Sequence, residues 1–326
     1  MRIPLCRWIV ATSLVTSLFL TAWAEEKLAG EDTVAIDRSE SSLAGMFTGK
    51  DKIWGLDLRS SMEYDSNAKL NDGDLGKGDA RFIFGLSADV NLPKVKDIET
   101  RLSYSFYKDS YDDLDEFDLE GHTLSTSFNR NLGEKMFCLL DYSFIYFYFN
   151  GDGYLQRHSI APSFYWSHTD SFATFIRFSW DNNDYVQIDR LSGDTYTLSV
   201  REFFYFGPDN KMGLYAQGVI GYNKAVDVSE DFNNYRISLG GSTPLLWKVS
   251  LSADLSFFNR RYKGIDDVEN VIRRDNGWVF NAVLSRPVYK EIVSARLYER
   301  YVRQRSSLSV RDYLDNIIGF ELAAKF

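Results

Sequence analysis

This chain has almost no cysteine. Cys6 and Cys138 are the only two in 326 residues. Cys6 lies in an N-terminal stretch that reads as removable, so Cys138 has no partner and no intramolecular disulfide staples the fold. Proline is scarce too, at 6 residues, as expected of a strand-rich chain. Beyond residue 20 no apolar run reaches the length of about 20 residues that a membrane helix needs. An excess of positive charge is also missing. The formal net charge is -9, two units more negative without Arg2 and Arg7, so nucleic acid is excluded as a partner.

What is present begins at the N-terminus. Arg2 and Arg7 form a basic start, an apolar stretch runs roughly from Trp8 to Leu20, and Ala22-Trp23-Ala24 offers a small-x-small cleavage site. This is the layout of a secretory signal peptide over residues 1–24. Cys6 precedes the apolar core, so it is not placed as a lipoprotein attachment site. Cleavage leaves Glu25 first, in a chain of about 300 residues, usual for one barrel and large for one soluble domain. Residues 25–52 are polar and lack a period-two pattern. They read as a periplasmic leader or a small plug, in which Ser41 to Phe47 could form one helical turn.

From Ile53 onward apolar and polar residues alternate repeatedly. Aromatics make up 16% of the chain, with 20 Tyr and 24 Phe, and Tyr and Trp suit membrane interfaces. The mean hydropathy of -0.28 fits strands that are apolar on one face only. Trp54, Leu56, Leu58, Met62 and Tyr64 oppose Asp57, Arg59, Ser61 and Glu63. Val249, Leu251, Ala253, Leu255 and Phe257 oppose Ser250, Ser252, Asp254 and Ser256. About fourteen such segments follow one another, the fourth (near Phe117 to Arg130) being weak enough to suggest a bulge. The expected fold is all-β: a transmembrane, antiparallel, up-and-down barrel over residues 53–326. Short turns, such as Asn131 to Lys135 and Ser167 to Asp170, alternate with longer acidic connections. The latter are Asn67 to Asp79, Asp109 to Asp118, Asp181 to Asp194, Lys224 to Asp231 and Lys263 to Asp275. An even strand number puts both chain ends on the side of the short turns.

In the last segment Ile318, Phe320, Leu322, Ala324 and Phe326 alternate with Gly319, Glu321, Ala323 and Lys325. It resembles the closing strand of Gram-negative outer-membrane β-barrels. That resemblance implies the outer membrane as location, with lipid and lipopolysaccharide around the barrel. It also implies that the barrel-assembly machinery reads Phe326 as an insertion signal. Tyr64-Asp65-Ser66-Asn67 is similar to a turn in the barrels of surface lipoprotein assembly modifiers. The helical repeat domain that such proteins place ahead of the barrel is missing here. The hatch signature of fatty-acid transporters, which share the strand count, is missing as well.

The polar faces carry Asp57, Arg59, Arg81, Asp89, Arg101, Asp141, Arg177, Arg201, Arg236, Asp254, Arg296 and Glu321, with Glu63 and Arg260 beside them. A charge on the lipid side costs a few kcal/mol near the midplane, so these groups are expected to face the lumen. There they fit a porin-like channel for small hydrophilic solutes, selecting by charge and size. They equally fit a structural or export-partner barrel, for lipoprotein or polysaccharide, whose charges pair in a closed interior. The acidic run Asp109, Asp112, Asp113, Asp115, Glu116 and Asp118 matches no defined calcium loop and reads as solvated loop charge. Three histidines exist: His122 in the fourth strand, His158 on a lipid-facing position, His168 in a turn. None lies in a nucleophile motif, and no zinc or nucleotide motif occurs. The chain therefore reads as a non-enzyme without cofactor or metal.

Overall fold

A computed structural model describes residues 53–68, 78–207, 210–266 and 269–326. The signal peptide, the leader and the turn expected at Ser41 to Phe47 lie outside the described residues. Fourteen antiparallel strands form a closed barrel in which each strand pairs with its sequence neighbours and β14 returns to β1. They are β1 (Trp54–Asp65), β2 (Asp79–Val95), β3 (Ile98–Tyr111), β4 (Leu119–Asn131), β5 (Met136–Phe149), β6 (Asp152–Thr169) and β7 (Phe172–Tyr185), followed by β8 (Gly193–Phe206), β9 (Met212–Ala225), β10 (Phe232–Pro244), β11 (Ser250–Ile265), β12 (Ile272–Tyr289), β13 (Val293–Ser306) and β14 (Tyr313–Lys325).

Closure follows from the alternation. An open sheet would leave a row of unpaired N–H and C=O groups at each edge, and only closure removes both edges. The apolar sets point out: Met62, Ile237, Ile220 and Leu297 are among many large side chains left exposed on the outer face. The β1–β14 seam runs from Asp57 opposite Lys325 to Asp65 opposite Ile317. Past it, Phe326 N–H donates to the Leu56 carbonyl at 2.9 Å, and Leu56 N–H donates to the Phe326 carbonyl at 3.3 Å.

Two sequence expectations are corrected. The fourth strand holds no bulge: β4 pairs in unbroken register with β3 and β5 from Leu119 to Arg130. Its pattern is weak because Gly121, Thr123, Ser125 and Ser127 line the inner face with small side chains beside a mixed outer one. The acidic connections are also shorter than expected, because strands continue into them. Asp109 belongs to β3, Asp181 to β7 and Asp275 to β12. Outside the hydrocarbon layer both faces of a strand carry polar residues, so alternation disappears where the strand does not.

The ends of the strands use a small set of devices. Between β5 and β6 Asn150 and Gly151 both adopt positive φ, at 49° and 80°, the two-residue hairpin geometry that Asn-Gly favours. Four connections on the rim opposite the chain ends contain one 3₁₀ turn each: Asp115–Phe117, Asp189–Leu191, Val228–Glu230 and Ser309–Arg311. In three of them the side chain just after the turn accepts from the end of the preceding strand. Asp118 accepts from Tyr111 N–H, Ser192 from Tyr185 N–H and Asp231 from Ala225 N–H, at 2.7–2.9 Å. Leu114, Phe117, Leu191 and Leu308 are buried, so these loops anchor on apolar side chains while their carboxylates cap backbone donors.

Candidate functional site

The candidate site is the inner wall. Because side chains alternate, every second residue of each strand faces inward, and the charges found there pair chiefly with neighbours one or two strands away. The densest group lies toward the rim opposite the chain ends. Arg81 on β2 donates to Glu63 on β1 at 2.7 Å and to Asp109 on β3 at 2.6 Å. All three side chains are nearly buried. Glu63 also accepts from the Tyr298 hydroxyl of β13. Tyr298 reaches it across β14 because the residue between them is Gly319, paired with Tyr298 on one side and Glu63 on the other. A Cβ at Gly319 would clash with the Tyr298 ring. The row Tyr298, Gly319, Glu63, Arg81 thus crosses the seam from inside and continues to Asp109.

Other inward glycines receive a ring in the same way. Phe147 lies over Gly121 and Tyr215 over Gly240, each directly cross-strand, and a Cβ at either glycine would come within 2.6 Å of the ring. A ring laid along the wall takes space that would otherwise be taken from the interior.

Each residue expected in the lumen has a definite place on this wall. Asp57 accepts from Arg59 at 3.0 Å, with Lys325 at 3.7 Å. Arg101 lies 3.9 Å from Asp89 and donates to Asn91 at 3.1 Å. Asp141 on β5 accepts from Ser127 on β4 at 2.7 Å and from Arg177 on β7 at 2.9 Å. Arg177 can reach over β6 because Ala161 and Ser163 are small. Beside them Pro162 offers no N–H, and the β6–β7 pairing skips Ala161 and Pro162. Arg201 is 5% exposed, donates to Gln217 at 2.8 Å and lies over the Tyr215 ring at 4.6 Å, a cation–π contact. Asp254 accepts from Asn281 at 3.1 Å, and Arg296 sits 3.3 Å from Glu321. Arg236 stands between Val219 of β9 and Phe258 of β11.

Several inward groups were not singled out in the sequence. Arg273 and Asp275 form a 2.7 Å ion pair in what reads as a loop, and Arg157 donates to Asn183 at 2.7 Å ahead of the recognisable part of β6. On β13 Gln304, opposite Gly277, and Arg300, opposite Asn281, also face inward. Arginine followed at i+2 by aspartate is the signal that was available for the Arg273 pair. It was masked by Arg274 on the other face.

The histidines do not converge on this wall. His122 and His158 lie on the outer face, each bonded through Nδ1 to a tyrosine hydroxyl: Tyr104 at 2.8 Å and Tyr142 at 2.9 Å. His168 bonds Thr174 at 2.7 Å near a turn. Among the described residues no group of His, Cys, Asp and Glu is arranged to hold a metal ion.

No protein-family profile matches the chain, and no curated protein matches it in sequence. Solved structures do match. An anion-selective porin from Comamonas acidovorans superposes with a TM-score of 0.50 at 8% identity, over 84% of this chain and 98% of that one. This chain has the fold of an outer-membrane β-barrel, closed with fourteen strands. Two other outer-membrane barrels align less closely. OmpT of Vibrio cholerae gives 0.49 at 7% identity over 85% of this chain and 99% of that one. A bacterial polysaccharide outer membrane secretin gives 0.46 at 8% over 83% and 98%. At such identities the likeness concerns the fold of the outer-membrane barrel alone, and its solutes and partners have to be argued from its own wall.

Proposed function

We propose that the barrel is a channel for passive passage of small hydrophilic solutes, without chemistry. One observation carries this reading. The Arg177–Asp141 pair stands on the inner wall with its side chains 34% and 23% exposed, which is the state of ions in contact with water. A closed apolar interior would force such a pair to lose its hydration at a cost of several kcal/mol per ion. Ionised groups of both signs on the wall set a field that favours some solutes over others. In this reading residues 1–24 are removed on export, the barrel-assembly machinery recognises Phe326, and residues 25–52 serve as a leader or plug.

The test is single-channel conductance in a planar bilayer, for the chain from Glu25 and for one lacking Glu25 to Lys52. Arg177→Ser with Arg236→Ser removes two inward cations and should shift the preference toward cations. Conductance only after the deletion identifies the leader as a plug. Silence in both refutes the channel and favours the structural or export-partner barrel, including one that works as the surface lipoprotein assembly modifiers do.

A further inference from the structure

The outer face carries a feature that neither a channel nor a lipid-facing wall requires. On β11 and β12 Phe257 and Trp278 are cross-strand partners, with ring centroids 4.9 Å apart. Such rings sit at the membrane interface. One row beyond them, toward the rim opposite the chain ends, Asn259 pairs with Asn276 and Asn276 with Arg305 of β13. One row further Arg261 stands directly opposite Arg274. All three arginines are exposed. Arg303, opposite Trp278, completes the edge and holds Asp312 at 3.2 Å.

Like charges directly opposite on neighbouring strands destabilise a sheet. No ion pair to Arg261, Arg274 or Arg305 forms among the described residues, and Arg261 donates only to the neutral Asn259, at 3.0 Å. A shared anion would relieve the repulsion. Guanidinium groups bind phosphate oxygens bidentately, and the two asparagines add neutral donors and acceptors one row closer to the membrane. In the orientation expected from the short turns, with both chain ends periplasmic, this rim lies at the outer leaflet, where the anion at headgroup height is a lipid phosphate. We propose that Arg261, Arg274 and Arg305, with Asn259 and Asn276, bind the phosphorylated sugar headgroup of one lipopolysaccharide molecule. Its acyl chains then run down the outer face past Trp278 and Phe257. The inference is independent of whether the interior conducts.

The test uses the folded barrel in detergent, with lipid A, lipid A stripped of its phosphates, and inorganic phosphate as separate probes. Retained heat-modifiable gel mobility serves as the check on folding. Lipid A should bind the wild type and bind Arg261→Ser/Arg274→Ser/Arg305→Ser roughly tenfold or more weakly, as loss of charge-assisted hydrogen bonds implies. Lys94→Ser/Arg286→Ser, near the other rim, should bind as wild type does. Phosphate-free lipid should bind the wild type as weakly as lipid A binds the triple variant. Equal binding of lipid A by wild type and triple variant overturns the proposal, and so does equal binding of the phosphate-free lipid. Inorganic phosphate that competes at lipid A's own concentration would make the site one for free anions and also overturn it. Should the triple variant fail to insert, the two lipids compared on the wild type decide the matter.

Discussion

Arg81→Met is the most informative change to the inner wall. The guanidinium is 9% exposed, and its two carboxylates, Glu63 and Asp109, are 6% and 1% exposed. Removing the cation leaves two acidic groups facing each other, to which the hydroxyls of Tyr298 and Tyr107 still donate. Breaking a buried pair from one side costs about 3–5 kcal/mol, chiefly as the penalty of the uncompensated charge. That is a large part of the roughly 5–15 kcal/mol by which folded domains are held. Urea unfolding in lipid vesicles, followed by tryptophan fluorescence and gel mobility, should therefore show a loss of this size. Adding Glu63→Gln and Asp109→Asn to the same chain should restore most of it, because the charges that needed Arg81 are gone. A single variant within about 1 kcal/mol of wild type, the range of an exposed pair, would refute the reasoning. So would a triple variant no more stable than the single one.

Deletion of Phe326 should sharply lower the amount of barrel in the outer membrane, measured by fractionation. The two backbone bonds to Leu56 contribute about 0.5–1.5 kcal/mol each and the ring at most about 1.5–3 kcal/mol, so a near-total defect would point to lost recognition and unchanged insertion would exclude it. Gly240→Ala should destabilise by about 1–3 kcal/mol in the same urea assay, because Tyr215 has to leave the wall; no change would mean the ring moves freely. In the β9–β10 connection Ser229 N–H and its hydroxyl hold the Asp227 carboxyl below its ordinary range. Its contribution is thus present above the ordinary carboxylate range and lost as pH falls through the lowered value. The protection of the Ser229 amide, its exchange measured against the intrinsic rate at each pH, should fall on acidification, and Asp227→Asn should flatten that dependence.

The membrane-crossing middle of each strand was legible because lipid outside and polar groups inside enforce a period of two. Asp57, Arg59, Arg81, Asp141, Arg177 and Arg296 could be assigned a face from this alone. Beyond the aromatic rows water meets both faces and the period fades, so Asp109, Arg273 and Asp275 read as loop. Partners two strands apart were not legible at all. The reach of Arg177 over Ala161 and Ser163, or of Tyr298 over Gly319, depends on cross-strand register, which alternation fixes only to within a two-residue step.

Tyr298, Gly319, Glu63, Arg81 and Asp109 come from both ends of the chain. During folding Glu63, Arg81 and Asp109 can meet as soon as the first three strands pair. Tyr298 and Gly319 arrive only with the last two. The row across the seam is therefore a late, non-local contact of the kind that slows folding, and it exists only when the circle is complete. A barrel that has paired thirteen strands still lacks it and leaves the Glu63 carboxylate without its tyrosine. The seam is thereby locked from within by its final hairpin, and the half-buried Tyr298 hydroxyl marks a finished cylinder chemically by its bond to Glu63.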